Sequence, residues 1–178
     1  MRRHFILLIV LFFCTCSPPE KEAKETPSLP YFQDSSDYTF IQNKSNQPKD
    51  YTLSNFIHVS LDSASSLKAT DHSQNKKLYL KLDGKAHFHF SSDSITIVVY
   101  TGMMKLTAQN LDFVIEAYNS SPGQVLKVLD GQLIATKSYE SNFPNTDSLT
   151  KGEMILINID IDLMEKETFD TSSFVPSL

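Results

Sequence analysis

Residues 76–118, KKLYLKLDGKAHFHFSSDSITIVVYTGMMKLTAQNLDFVIEAY, decide the fold class. Leu78, Leu80 and Leu82 alternate with Tyr79 and Lys81; beyond Asp83-Gly84, Ala86, Phe88 and Phe90 alternate with Lys85, His87 and His89. Alternation of period two sends one set of side chains to a buried face and the other to water, which marks a strand. Asp-Gly between two such runs predicts a tight hairpin, because glycine accepts the positive φ of a primed turn. A third run at Ile95–Tyr100 and a fourth at Asp112–Tyr118, separated by a turn near Gly102, extend the pattern. The expectation is an antiparallel β core.

The flanks follow the same grammar. Ile57, Val59 and Leu61 face inward between Phe56, His58 and Ser60, then Asp62–Ser66 reads as a serine-rich turn and Thr70–Lys77 as a polar loop. Gln124–Leu129 and Gln132–Lys137 enclose Asp130-Gly131, a second predicted hairpin, after a turn at Asn119–Gly123. Ser138–Leu149 reads as a loop and Lys151-Gly152 as a turn. Met154–Met164 reads as one strand, with Ile155, Ile157, Ile159, Ile161 and Leu163 on one face. Short strands punctuated by turn chemistry predict an all-β fold, an antiparallel sandwich or β-roll of about 9–11 short strands.

With 178 residues the chain has room for one domain, and its 12 Phe and 7 Tyr supply a core. A net charge of -5 argues against a nucleic-acid partner. Residues 1–15 join a basic start (Arg2, Arg3, His4) to an apolar run, Phe5–Phe13, shorter than the about 20 residues of a spanning helix. Cys14-Thr15-Cys16-Ser17 follows, and this order resembles a bacterial lipoprotein signal. Cys16, preceded by small Thr15, is the predicted lipid-attachment residue; bulky Phe13 disfavours Cys14. Residues 16–50, with Pro18, Pro19, Pro27, Pro30 and Pro48 among polar residues, read as a flexible tether in which Tyr38–Ile41 offers an edge strand. The domain is expected at 51–164 and a loose tail at 165–178.

Reactive chemistry is sparse. His87 and His89 share a strand face, and histidines at i and i+2 can bind zinc or copper if a third ligand, His58 or His72, joins them. The competing reading makes them the polar face of the Ala86-Phe88-Phe90 strand, and no metal or other cofactor is expected. Asn158-x-Asp160-x-Asp162 lacks the glycine and distal glutamate of a calcium loop. Ser65-Ser66 has no nucleophile-elbow context, so no catalytic residue is assigned. Tyr79, Tyr100 and Tyr118 would form an exposed aromatic strip if they shared a face.

Laid out in order, the strands resemble the extracytoplasmic domain of the FecR family. The matching pieces are Leu53-Ser-Asn-Phe-Ile-His-Val59-Ser-Leu61 with Ser65-Ser66-Leu67, then Lys77-Leu-Tyr-Leu-Lys-Leu-Asp83-Gly84-Lys-Ala86-His-Phe88. Ile97-Val-Val-Tyr-Thr101-Gly102, Asp112-Phe113-Val-Ile115-Glu-Ala117-Tyr118 and Val125-Leu-Lys-Val-Leu-Asp-Gly131-Gln-Leu133 complete the series, with Gly152-Glu153 at its end. Gln109-Asn110-Leu111 stands where the family has Gly-Thr, and Gly84-Lys85-Ala86 where it has Gly-Glu-Ala. The resemblance implies an extracytoplasmic interaction domain.

Family members typically carry a cytoplasmic sigma-binding segment and a spanning helix, neither of which is read here, so no direct sigma-factor contact is expected. The expectation is therefore an outer-membrane lipoprotein, facing periplasm or cell surface. It would bind an envelope protein or glycan in an accessory or regulatory role. The alternative is a metal-assisted envelope enzyme using His87 and His89.

Overall fold

A computed structural model describes residues 38–72 (71 and 72 by backbone alone), 76–143 and 145–172. The leader, Cys16 and the tether up to residue 37 lie outside the described residues. The described chain is all-β. Its strands are β1 (Thr39–Gln42), β2 (Lys49–Ser54), β3 (Ile57–Leu61), β4 (Ser66–His72), β5 (Lys77–Phe90), β6 (Thr96–Tyr100), β7 (Met104–Ala117), β8 (Gly123–Lys137), β9 (Thr146–Thr150), β10 (Glu153–Asn158) and β11 (Leu163–Thr168). They join one 11-stranded sheet. Every pairing is antiparallel except β5 with β6.

Three long strands fold this sheet over on itself. The first halves of β5 and β7 and the second half of β8 lie in one leaf, ordered β1, β4, β5, β6, β7, β8, β9. The remaining halves lie in a second leaf, ordered β2, β3, β5, β7, β8, β10, β11. Strands that change leaf must bend sharply, and sheet corners of this kind are built from bulges and glycines. One corner is Gly84 in β5 (φ 121), lying against buried Ser65 of the β3–β4 turn. The other holds Asn110 of β7 (φ 45) and Gly131 of β8 (φ 87). A Cβ on Gly131 would sit 2.5 Å from the Asn110 carbonyl oxygen, so the two bends nest directly.

Burial follows the bends. In β5 the inward phase is unbroken, from Leu80 and Leu82 to Ala86, Phe88 and Phe90. In β7 it slips by one residue, from Leu106 and Ala108 to Leu111, Phe113 and Ile115. In β8 it slips between Val128 and Leu133. A slip of one residue turns every later side chain to the opposite face, so these two bulges keep the apolar face inward where the strands change leaf. Both leaves feed one buried cluster, at whose centre Phe88 and Phe113 stack with ring centroids 4.9 Å apart.

The two Asp-Gly sites are therefore corners inside β5 and β8, and not hairpin turns. Glycine supplies the expected positive φ, but Leu82 pairs with Leu67 and Ala86 with Leu61 and Ile115, so the flanking runs never pair with each other. Residues 66–72, read as the end of a turn and a polar loop, form β4, which bridges β1 and β5. The 154–164 run is broken: Asn158 Oδ1 accepts hydrogen bonds from the amides of Asp160 and Ile161, and Asp162 adopts φ 52. An Asx turn thus ends β10 and opens β11, which runs from Leu163 into the expected tail, leaving Ile161 69% exposed. Tyr79 and Tyr100 do share a face but are buried with Val98 in a small cluster of their own.

Candidate functional site

Register brings the histidines together on the outer face of the second leaf. His58 of β3 stands opposite His89 of β5, which stands opposite Asp112 of β7. Their neighbours Val59, Phe88, Phe90 and Phe113 take the core, so alternation turns the polar side chains outward. His87 Nε2 lies 2.6 Å from Asp112 Oδ1 and His89 Nδ1 lies 3.2 Å from Asp112 Oδ2. His58 continues the row, its ring centroid 6.4 Å from that of His89 and its Nδ1 3.2 Å from Thr52 Oγ1. Burial alone would raise the Asp112 carboxyl. Hydrogen bonds from His87 and His89, with the charge of both rings, outweigh it and hold the group below its ordinary value. A carboxylate only accepts, so each imidazole gives it an N–H and is fixed in orientation.

This row is a hydrogen-bonded ladder. The predicted pair His87 and His89 does converge, on Asp112. Among the described residues, however, no group of three or more His, Cys, Asp or Glu is placed to hold a metal ion. His58, one proposed third ligand, is bonded to Thr52, and the side chain of His72 lies outside the described residues. Ser60 stands opposite His87 in the ladder, yet no hydrogen bond joins them among the described residues.

Two features escaped the sequence reading. A cleft of about 840 Å³ opens between β1 of the first leaf and β2 of the second, over Ile57, Leu78 and Ile95. It is built from the margins of two leaves, and periodicity carries no signal for a margin. The second is a clasp across the far end of the molecule. The nearly buried Lys137 ammonium donates to Ser141 Oγ (3.1 Å), Phe143 O (3.0 Å), Asp162 O (2.9 Å) and Asp162 Oδ1 (2.7 Å). Tyr139 and Ser141 hydroxyls donate to the same carboxylate at 3.0 and 2.6 Å. These bonds, the one from Lys137 foremost, hold the Asp162 carboxyl far below the usual range. Tyr139 is pushed up to about 12 by burial and by the Asp162 charge it hydrogen-bonds. The clasp pins the β8–β9 loop to the β10–β11 turn, and its groups satisfy one another.

No family model matches the chain, and no curated protein matches it. Its fold is similar to two crystal structures of a putative anti-sigma factor from Parabacteroides distasonis. The first has a TM-score of 0.68 at 17% identity, covering 76% of this chain and 62% of that one. The second has a TM-score of 0.67 at 17% identity, covering 75% and 61%. The matched region thus spans under two thirds of those proteins. This corrects one expectation: direct sigma-factor contact was excluded because no sigma-binding segment or spanning helix was read ahead of the domain. Proteins described as anti-sigma factors carry the same β fold, so the fold gives no ground for that exclusion.

Proposed function

We propose that the chain is a regulatory β domain of the FecR type, which binds a protein partner at the cell envelope and acts in the control of a sigma factor. The observation that carries this reading is the likeness of its two-leaf fold to the anti-sigma factor structures over three quarters of the chain. The ordered strand series that resembles the FecR extracytoplasmic domain supports it from the sequence side. The outer-face ladder supports a non-catalytic role, because its histidines are spent on holding one carboxylate. The leader and Cys16 support a lipid anchor ahead of the domain, and more than one acyl chain there would hold the protein stably at a membrane.

The test has two arms. Deleting the gene in its host should change transcription from a sigma-dependent promoter several-fold, and a plasmid copy should restore it. Cys16→Ala should move the protein from the detergent phase to the aqueous phase and abolish acyl mass. A transcriptome unchanged at every sigma-dependent promoter would overturn the regulatory reading; an unmodified, detergent-insensitive wild-type protein would overturn the anchor.

A further inference from the structure

The cleft at the β1–β2 margin is bounded by strand edges. Among the described residues β1 pairs with β4 alone and β2 with β3 alone, so each presents one unpaired edge. β2 lines the cleft with four successive residues, Tyr51 to Ser54. Successive side chains of a strand point to opposite faces, so a wall made of consecutive residues runs along the strand's edge. Backbone donors and acceptors along such an edge need partners, and an added strand is the solution that satisfies all of them at once. The floor is apolar, and Ile41, Leu53, Phe56 and Leu78 remain only partly buried against the core. Among the described residues of the lining, Lys76 and Lys77 are the charged ones.

We propose that this cleft takes an extended segment of a partner protein, added as a strand along β2. Apolar side chains at every second position would meet the floor, and an acidic side chain would meet Lys76 and Lys77. Three observations converge on that occupant: an open edge for its backbone, an apolar floor for one face of its side chains, and two exposed lysines in the lining. A fatty-acid-like amphiphile would use the floor and the lysines but leave the β2 edge unpaired. Strand addition draws affinity from main-chain bonds and specificity from alternate side chains, which suits a domain whose working part is a surface. The proposal rests on the reading of the chain as a partner-binding module and names where and what it binds.

A displayed heptapeptide library panned on the full chain should enrich sequences with apolar residues at alternate positions and an aspartate or glutamate near one end. A dye-labelled peptide of the enriched sequence should bind saturably and slow amide exchange in 49–54. Lys76→Glu/Lys77→Glu should weaken it about tenfold or more, since both residues are exposed and the swap leaves the core intact. N-methylation of alternate peptide amides should abolish binding. No enrichment, equal binding of the methylated peptide, or protection confined to other strands would overturn the proposal. Saturable binding of dodecanoate without any peptide enrichment would also overturn it, in favour of an amphiphile. The promoter readout is independent: its failure with peptide binding intact would sink the sigma-factor reading and leave the cleft.

Discussion

Replacing Gly84 with alanine tests whether β5 turns a corner there. At φ 121 an L side chain is strained, and the new Cβ would lie 2.2 Å from Ser65 Oγ, 2.4 Å from Ser65 Cβ and 2.7 Å from Ser65 Cα. Ser65 is fully buried and cannot swing aside, and its hydroxyl accepts the Lys85 amide at 2.9 Å. Backbone strain at such a position costs about 1–3 kcal/mol. Overpacking costs about 1–3 kcal/mol more, and the displaced hydrogen bond about 1 kcal/mol. The expected loss for Gly84→Ala is therefore about 4 kcal/mol, a large share of the ~5–15 kcal/mol that typically separates folded from unfolded chains. For a domain of this size that lowers Tm by about 8–16 °C. Urea unfolding of the full chain would measure it, with Ser65→Gly and the double variant completing a cycle. Ser65→Gly removes the two closest contacts, so the double variant should regain about 1–2 kcal/mol relative to additivity. In a hairpin, Gly84→Ala would cost only its φ strain and would not couple to Ser65. A loss under about 1 kcal/mol, or strict additivity with Ser65→Gly, would refute the corner.

The clasp and the ladder make the remaining predictions. Asp162 and Asp112 are held low in the folded state, Asp162 chiefly by Lys137 and Asp112 by its histidines against the opposing effect of burial. As pH falls, the unfolded chain takes up these protons first, so the stability these two carboxyls contribute should be complete above about pH 5 and be lost through and below about pH 4. Asp162→Asn should flatten that fall, read as the urea midpoint at successive pH values; an equally steep fall would mean the clasp carboxyl is not the sensor. At alkaline pH, Tyr139 should ionise near about 12, later than the free-side-chain value of 10.0. Asp162→Asn should bring it only part of the way back, because burial contributes before the hydrogen bond and charge do. Ultraviolet difference titration against Tyr139→Phe isolates the step, and a wild-type Tyr139 that ionises with the other tyrosines would refute the bond to Asp162.

What the sequence carried well was the face each side chain takes. Leu80, Leu82, Phe88, Phe90, Ile57, Val59 and Leu61 are all buried, as alternation required. What it carried poorly was the use of a turn residue. Asp83-Gly84 and Asp130-Gly131 supply positive φ both in a hairpin and in a bent strand, and only the neighbours decide between them. Those neighbours, Leu67 for Leu82 and Ile115 for Ala86, are distant in the chain. Hairpins are the local solution, so local reasoning chose them. The parallel β5–β6 pair has the same origin: β5 leaves the first leaf at Gly84, and the chain returns from Phe90 to begin β6 beside Lys77.

The same limit explains why the histidines were found and the cleft was not. His87 and His89 are an i, i+2 pair, visible in one strand; Asp112, which binds both, lies across β7 and enters through register alone. Asp112 gives both imidazoles a common carboxylate partner that neither strand shows alone. Edges are further removed still, because which strand ends a leaf depends on every pairing before it. β4 had to form and pair with β1 for the first leaf to end where it does, and β3 had to choose β5 for β2 to end the second. Nothing in the local sequence around Tyr51, Leu53 and Ile41 singles them out. They become a wall only when two leaves, folded over Gly84 and Gly131, stop side by side. A function that resides at that margin is thus a property of the whole pairing scheme, and substitutions that alter corner geometry should disturb binding there before they disturb the core.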